Sequence, residues 1–131
     1  MTDMPRPWDV YFFYTETTTP PKEKFVIITH VPPGVQYAYG IFINSELNPF
    51  QQKPELSRCF VDVPVAEHAF LDYDSFAACG DVYTFPFSQL IPANFQGRIS
   101  DQTAREIRYG AIACPILKGG HKKIFQAMVT P

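Results

Sequence analysis

HAFLDYDSFAACGDVYTF at residues 68–85 and GRISDQTAREIRYGAIAC at residues 97–114 carry the plainest local grammar in the chain: two short strands, a loop, then one capped helix. In the helical half, Ser100 suits the N-cap, Asp101 complements the positive end of the helix dipole, and Ile99 can staple onto Ala104. Ala104, Ile107, Ala111 and Cys114 recur at steps of three, four and three, which makes one apolar stripe with Arg105 and Arg108 outside it. Pro115 ends the helix by restricting Cys114, and Gly110 softens its middle by about 1 kcal/mol relative to alanine. The strands are predicted at Ala69–Ser75 and Asp81–Phe85. In the second, Val82 and Thr84 share one face, Tyr83 and Phe85 the other.

Upstream of this stretch the chain is strand-rich. Val10–Tyr14 is aromatic and β-branched, as a pleated surface favours. Phe25–Val31 is a nearly continuous apolar run stopped by Pro32-Pro33-Gly34, the pattern of a strand buried on both faces, and Tyr37–Asn44 pairs with it as a hairpin. Gly40 predicts a bend or bulge. Cys59–Val63 reads as a further short strand. Two polar, proline-bearing loops, residues 15–24 and 45–58, separate these elements and are the natural places for function. Ile124-Phe125 and Met128-Val129 are too short to place, so residues 118–131 read as a turn or tail and residues 1–7 as a flexible N-terminus. Five or six short strands with a late helix imply a mainly β protein: a small closed antiparallel barrel with a C-terminal α-helix packed against it, in one domain spanning residues 1–131.

Composition narrows the function classes. A chain of 131 residues, 46% hydrophobic, 15% aromatic and 18% charged, is globular rather than disordered. No apolar run approaches the ~20 residues of a membrane span and the N-terminus lacks a signal-peptide core, so a soluble cytoplasmic protein is expected. Cys59, Cys79 and Cys114 are odd in number and widely spaced, which argues against a disulfide framework and against zinc; each reads as a small buried hydrophobe. The net charge of −2 is divided unevenly: residues 1–97 hold five basic against eleven acidic groups, residues 98–131 six against two. That basic end is either a solvated helix face with a tail or a surface that attracts phosphate. Motifs for phosphate loops, dinucleotides, zinc proteases and serine hydrolases are missing, so no cofactor or metal is expected. Asp72 and Asp74 share a strand face and read as a structural pair, and His30, His68 and His121 are scattered.

The order DVYFFY, polar loop, FVIIT, LDYDSF, DVYTF and GRISDQTAREI resembles the MazF/PemK-type toxin family of type II toxin–antitoxin systems over most of residues 8–117. The resemblance implies an SH3-like barrel, usually a homodimer. It further implies an endoribonuclease that cleaves single-stranded RNA without metal and is silenced by a small antitoxin. Family members carry an Arg-Pro pair before the second strand and a Thr or Ser after the third. Here those positions read Lys24-Phe25 and Asn44-Ser45. Carried onto this chain, the resemblance makes Lys24 and Ser45 catalytic candidates, with His30 or Glu46 for proton transfer. Lys22, Asn44, Arg58, Arg105 and Arg108 become candidates for binding RNA. Two other outcomes stay open: a catalytically inactive barrel that binds a protein or nucleic acid, or single-strand binding by exposed aromatics such as Tyr14, Tyr37 and Tyr39.

Overall fold

A computed structural model of the chain describes residues 4–18, 20–47, 49 and 51–129. The ends of the expected N- and C-terminal tails, residues 1–3 and 130–131, lie outside it. Seven strands come first: β1 (Asp9–Thr15), β2 (Lys22–His30), β3 (Tyr37–Asn44), β4 (Phe60–Val63), β5 (Ser75–Ala78), β6 (Tyr83–Pro86) and β7 (Phe95–Arg98). They are followed by helices α1 (Asp101–Ala113) and α2 (Gly119–Val129). All pairings are antiparallel, in the order β4-β5-β3-β2-β1-β7, and β6 joins the free edge of β3 beyond β5. The protein is thus mainly β, a strongly curled sheet with C-terminal helices. Its curl stops short of closure, because β4 and β7 end the sheet without pairing to each other.

The continuous apolar run in β2 is explained by two cores, one on each face of the sheet. Val10, Ile27, Ile41 and Ile43 point to one side, where Ala104, Ile107 and Ala111 of α1 and Phe125 of α2 cover them. Tyr11, Phe13, Val26, Ile28 and Phe42 alternate to the other side, and β6 with the segment after it folds over them through Phe85 and Leu90. A β-carbon on Gly40 would lie 2.9 Å from the Ile27 carbonyl oxygen and 2.9 Å from Val26 Cγ1. Only glycine admits that approach, and the register of β2 against β3 shifts beside it, between Ile28 and His30.

The predicted helix is α1, with Ser100 as its N-cap: the hydroxyl accepts from the Thr103 N–H at 3.2 Å. His68, 1% exposed, fastens this cap to the sheet. Its Nε2 accepts from the Ser100 N–H at 3.1 Å, so Nδ1 bears the proton and donates to the Pro64 carbonyl at 2.7 Å. Gly110 is a contact residue rather than a soft spot, since a β-carbon there would meet Val61 Cγ2 at 2.7 Å and the Arg58 carbonyl oxygen at 2.9 Å.

Several sequence expectations change. The turn or tail expected over residues 118–131 is, within its described part, a helix: Gly119–Val129 is helical, and Phe125 is 1% exposed in the core against α1. The strand expected at Ala69–Ser75 begins at Ser75 instead, because the chain turns at Leu71, whose N–H donates to the His68 carbonyl, and Asp74 accepts the Val65 N–H at 2.9 Å. Asp74 is therefore structural, as expected of that pair. The short strand β7 was not predicted. Cys59 and Cys114 are not separate buried hydrophobes but a disulfide. Cys59 closes a 3₁₀ turn, Pro54–Cys59, and Cys114 caps α1, and the close approach at Gly110 sets them side by side. Cys79 stays free and buried. At the N-terminal end, the Arg6 N–H donates to Asp9 Oδ2 at 2.9 Å and Arg98 pairs with Asp9 at 2.5 Å, so residues 6–9 are tied to β7.

Candidate functional site

A groove of about 550 Å³ opens where β2, β3 and β6 meet the two polar loops. Lys24 lies in phase with Val26 and Ile28, so its side chain leaves the sheet on the face turned away from the helices, next to Phe42. It is 9% exposed, its Nζ donates to Asn44 Oδ1, and the ammonium stands 5.6 Å from the centre of the Phe42 ring. Burial, and secondarily the charge of Lys22, push this amine from 10.5 down to about 8. Lys24 is therefore cationic at neutral pH but close to giving up its proton.

Ser45 and Glu46 reach the same groove from the loop after β3, and Lys22 from the start of β2. Lys24, Ser45, Glu46, Lys22 and Asn44 thus line one groove, although they come from two segments some twenty residues apart. Lys22, Lys24 and Ser45 also border a second cleft of about 260 Å³, which continues past Phe12, Phe25 and Tyr73 to Asp72. The remaining candidates lie elsewhere. The register shift before His30 turns it toward α2, where it stacks on Tyr39 and borders Ile124, Ala127 and Met128. Six residues of strand, roughly 20 Å, separate it from Lys24. Arg58 sits on the 3₁₀ turn beneath α1, Arg105 is exposed on α1, and the Arg108 guanidinium lies 6.0 Å from the Trp8 ring; none of the three lines the groove. Of the exposed-aromatic candidates, Tyr37 and Tyr39 pack edge to face near His121 while Tyr14 is open to solvent, bordering a different hollow.

Sequence reasoning missed four lining residues of chemical consequence: Thr17 and Thr18 from the first polar loop, and Asp81 and Tyr83 around β6. The threonines fall within the polar loop at residues 15–24, one of the two where the sequence places function. Asp81 and Tyr83 gave no signal, because they reach the groove only through the pairing of Gly40 with Tyr83. Burial, with the neighbouring Asp81 charge, holds the Tyr83 phenol above its ordinary range. The groove thus offers cations and hydroxyls suited to a phosphate, carboxylates that accept protons or N–H donors, and aromatic rings. No group of three or more metal-ligating side chains occurs among the described residues.

A curled antiparallel half-barrel backed by C-terminal helices is the fold of MazF-like toxins. The Mycobacterium tuberculosis toxin MazF-mt6 is similar in structure, with a TM-score of 0.61 at 14% identity, covering 86% of this chain and 99% of that one. No family model and no curated protein sequence matches the chain. Among the described residues no helix is long and apolar enough to cross a membrane.

Proposed function

We propose that this protein is a toxin-like endoribonuclease of a type II toxin–antitoxin system, cleaving single-stranded RNA without metal, as a cytoplasmic homodimer held in check by a small antitoxin. The observation that supports it is the convergence of Lys24, Ser45 and Glu46 on one groove of a MazF-like fold. Lys22 and Ser45 hold the non-bridging phosphate oxygens. The Glu46 carboxylate takes the 2′-OH proton, and the 2′-oxygen attacks phosphorus. The P–O5′ bond breaks as the Lys24 ammonium gives its proton to the leaving oxygen. The products are a 2′,3′-cyclic phosphate and a free 5′-OH, and no oxidant or metal enters the balance. Asn44 fixes the position of the Lys24 ammonium, and Phe42 keeps it partly dry.

The test is incubation of the purified protein with long RNA in EDTA, followed by end-group analysis of the fragments. Cyclic phosphate ends that disappear in Lys24→Met support the reading. Intact RNA with the wild-type protein overturns it and favours a second reading, a binding module without activity. The single-point ammonium of Lys24, where a guanidinium fork would grip phosphate in two places, speaks for that second reading.

A further inference from the structure

Opposite charges share the groove without neutralising each other. Lys22 and Lys24 stand on the β2 side, while Glu46 and Asp81 come from the loops. Among the described residues, neither carboxylate is engaged in a hydrogen bond or an ion pair. A carboxylate in a track for a polyanion repels the phosphates, unless it meets donors that the ligand itself supplies. Glu46 has a use in the chemistry already described. Asp81 has none, yet it stands close enough to Tyr83 for its charge to act on the phenol, and both line the groove.

We infer that Asp81 and Tyr83 form a base-reading subsite that selects guanine next to the cleaved phosphate, an inference that rests on the endoribonuclease reading above. The half-buried Tyr83 ring, itself 5.0 Å from Phe42 and tilted against it, is a fixed platform on which an unstacked base can lie. Asp81 then faces the edge of that base. Guanine presents two adjacent donors, N1–H and the N2 amino group, that match the two oxygens of a carboxylate. Cytosine and adenine offer an amino group beside an acceptor nitrogen. Uracil offers one N–H between two carbonyls, which the carboxylate repels. The lysines hold the phosphate while Asp81 holds the base, so the two signs of charge serve two parts of one nucleotide.

The experiment measures fluorescence anisotropy of labelled pentamers UUXUU, with X as G, A, C or U and 2′-deoxyribose at X and at the U before it, so that neither phosphate flanking X can be cleaved. The X = G pentamer is expected to bind roughly tenfold or more tightly than X = U, the usual worth of a two-point base contact. Asp81→Asn should erase that ratio, whereas Asp62→Asn, an exposed carboxylate on β4 outside the groove, should leave it intact. Tyr83→Leu should weaken all four pentamers alike, and Tyr83→Phe should restore them. Equal affinity for the four pentamers, or a G preference that survives Asp81→Asn, overturns the inference even if long RNA is still cut. If no pentamer binds and long RNA also stays intact, the endoribonuclease reading falls and this subsite with it.

Discussion

Lys24 combines a charged head with a burial that charged heads resist: 9% exposed, beside Phe42, it gives up its proton near pH 8 instead of 10.5. In the proposed reaction Lys24 is the acid and must be protonated, so the cleavage rate should fall as the pH rises through about 8. A pH–rate profile of single-turnover cleavage checks this. Lys24→Arg, whose guanidinium keeps its proton, should remove that alkaline limb while lowering the rate, and a limb that persists in the variant would assign it to another group. The same burial makes a stability prediction. Below pH 8 the amine is charged in both folded and unfolded chains, and the folded state bears the cost of burying it. Between 8 and 10.5 the unfolded chain binds more protons than the folded one, so stability should rise with pH across that window. Lys24→Met, by replacing a buried cation with a matched apolar chain, should raise stability at pH 7 by about 1 kcal/mol after the loss of the Asn44 partner, and should cut cleavage by about 10²–10⁴-fold. Urea midpoints at pH 7 and pH 10 for both proteins measure the pair of effects.

At the scale of elements, α1 is fixed to the sheet at both ends. His68 holds its N-cap, and the Cys59–Cys114 disulfide holds its C-cap to the end of the loop whose beginning carries Ser45 and Glu46. The disulfide closes a loop of 55 residues, for which the entropy removed from the unfolded chain is worth about 4 kcal/mol. Unfolding in the presence of a dithiol reductant should therefore show a stability lower by about that amount, and a Cys59→Ala/Cys114→Ala double variant should be indifferent to the reductant. Cys79 will not take over as a partner, since burial pushes its thiol up to about 12 and leaves almost no thiolate to exchange. His68→Ala leaves the Pro64 carbonyl and the Ser100 N–H without their partners and opens a cavity, a loss on the order of 3 kcal/mol readable in the urea midpoint. Gly110→Ala is the sharper test of the packing, because helix propensity alone would favour it by about 1 kcal/mol while the contacts with Val61 and Arg58 oppose it. A net destabilisation is expected; a stabilised variant would mean that α1 rides farther from the 3₁₀ turn.

For the molecule as a whole, what could be read from the sequence was what neighbouring residues decide between themselves. The double-faced run of β2, the stop at Pro32-Pro33-Gly34 and the cap at Ser100 are all local, and they gave the mainly β architecture and its helix. What was hidden depends on distant partners. Phe125 and Met128 look unpromising beside Gly119-Gly120 and Lys122-Lys123, and they become a helix face only because α1 and the sheet receive them. The disulfide needs two cysteines brought together across 55 residues, and Asp81 and Tyr83 reach the groove only because β6 crosses to β3. The family resemblance and the polar loops point to Lys24 and Ser45, which line one groove, whereas the bulge before His30 turns its side chain toward the helices and away from that groove.

The two faces of the sheet also divide labour, with the helices and the disulfide on one and the groove on the other. Phe125 belongs wholly to the first, 1% exposed among Ile107, Leu117 and their neighbours, and among the described residues none of α2 lines the groove. Phe125→Ala should thus cost about 3–4 kcal/mol, the usual loss for emptying a core aromatic site. Yet at a temperature well below its lowered Tm, the folded variant should carry out the proposed RNA cleavage at the same single-turnover rate as the unaltered protein, with the same pH profile. Thermal melts and cleavage assays on one preparation separate the two quantities. A Phe125→Ala protein that stays folded but loses activity would show that the helical layer sets the geometry of Lys24 and Ser45 through the sheet, and β2 would be the element that carries it, since its alternate residues face both cores.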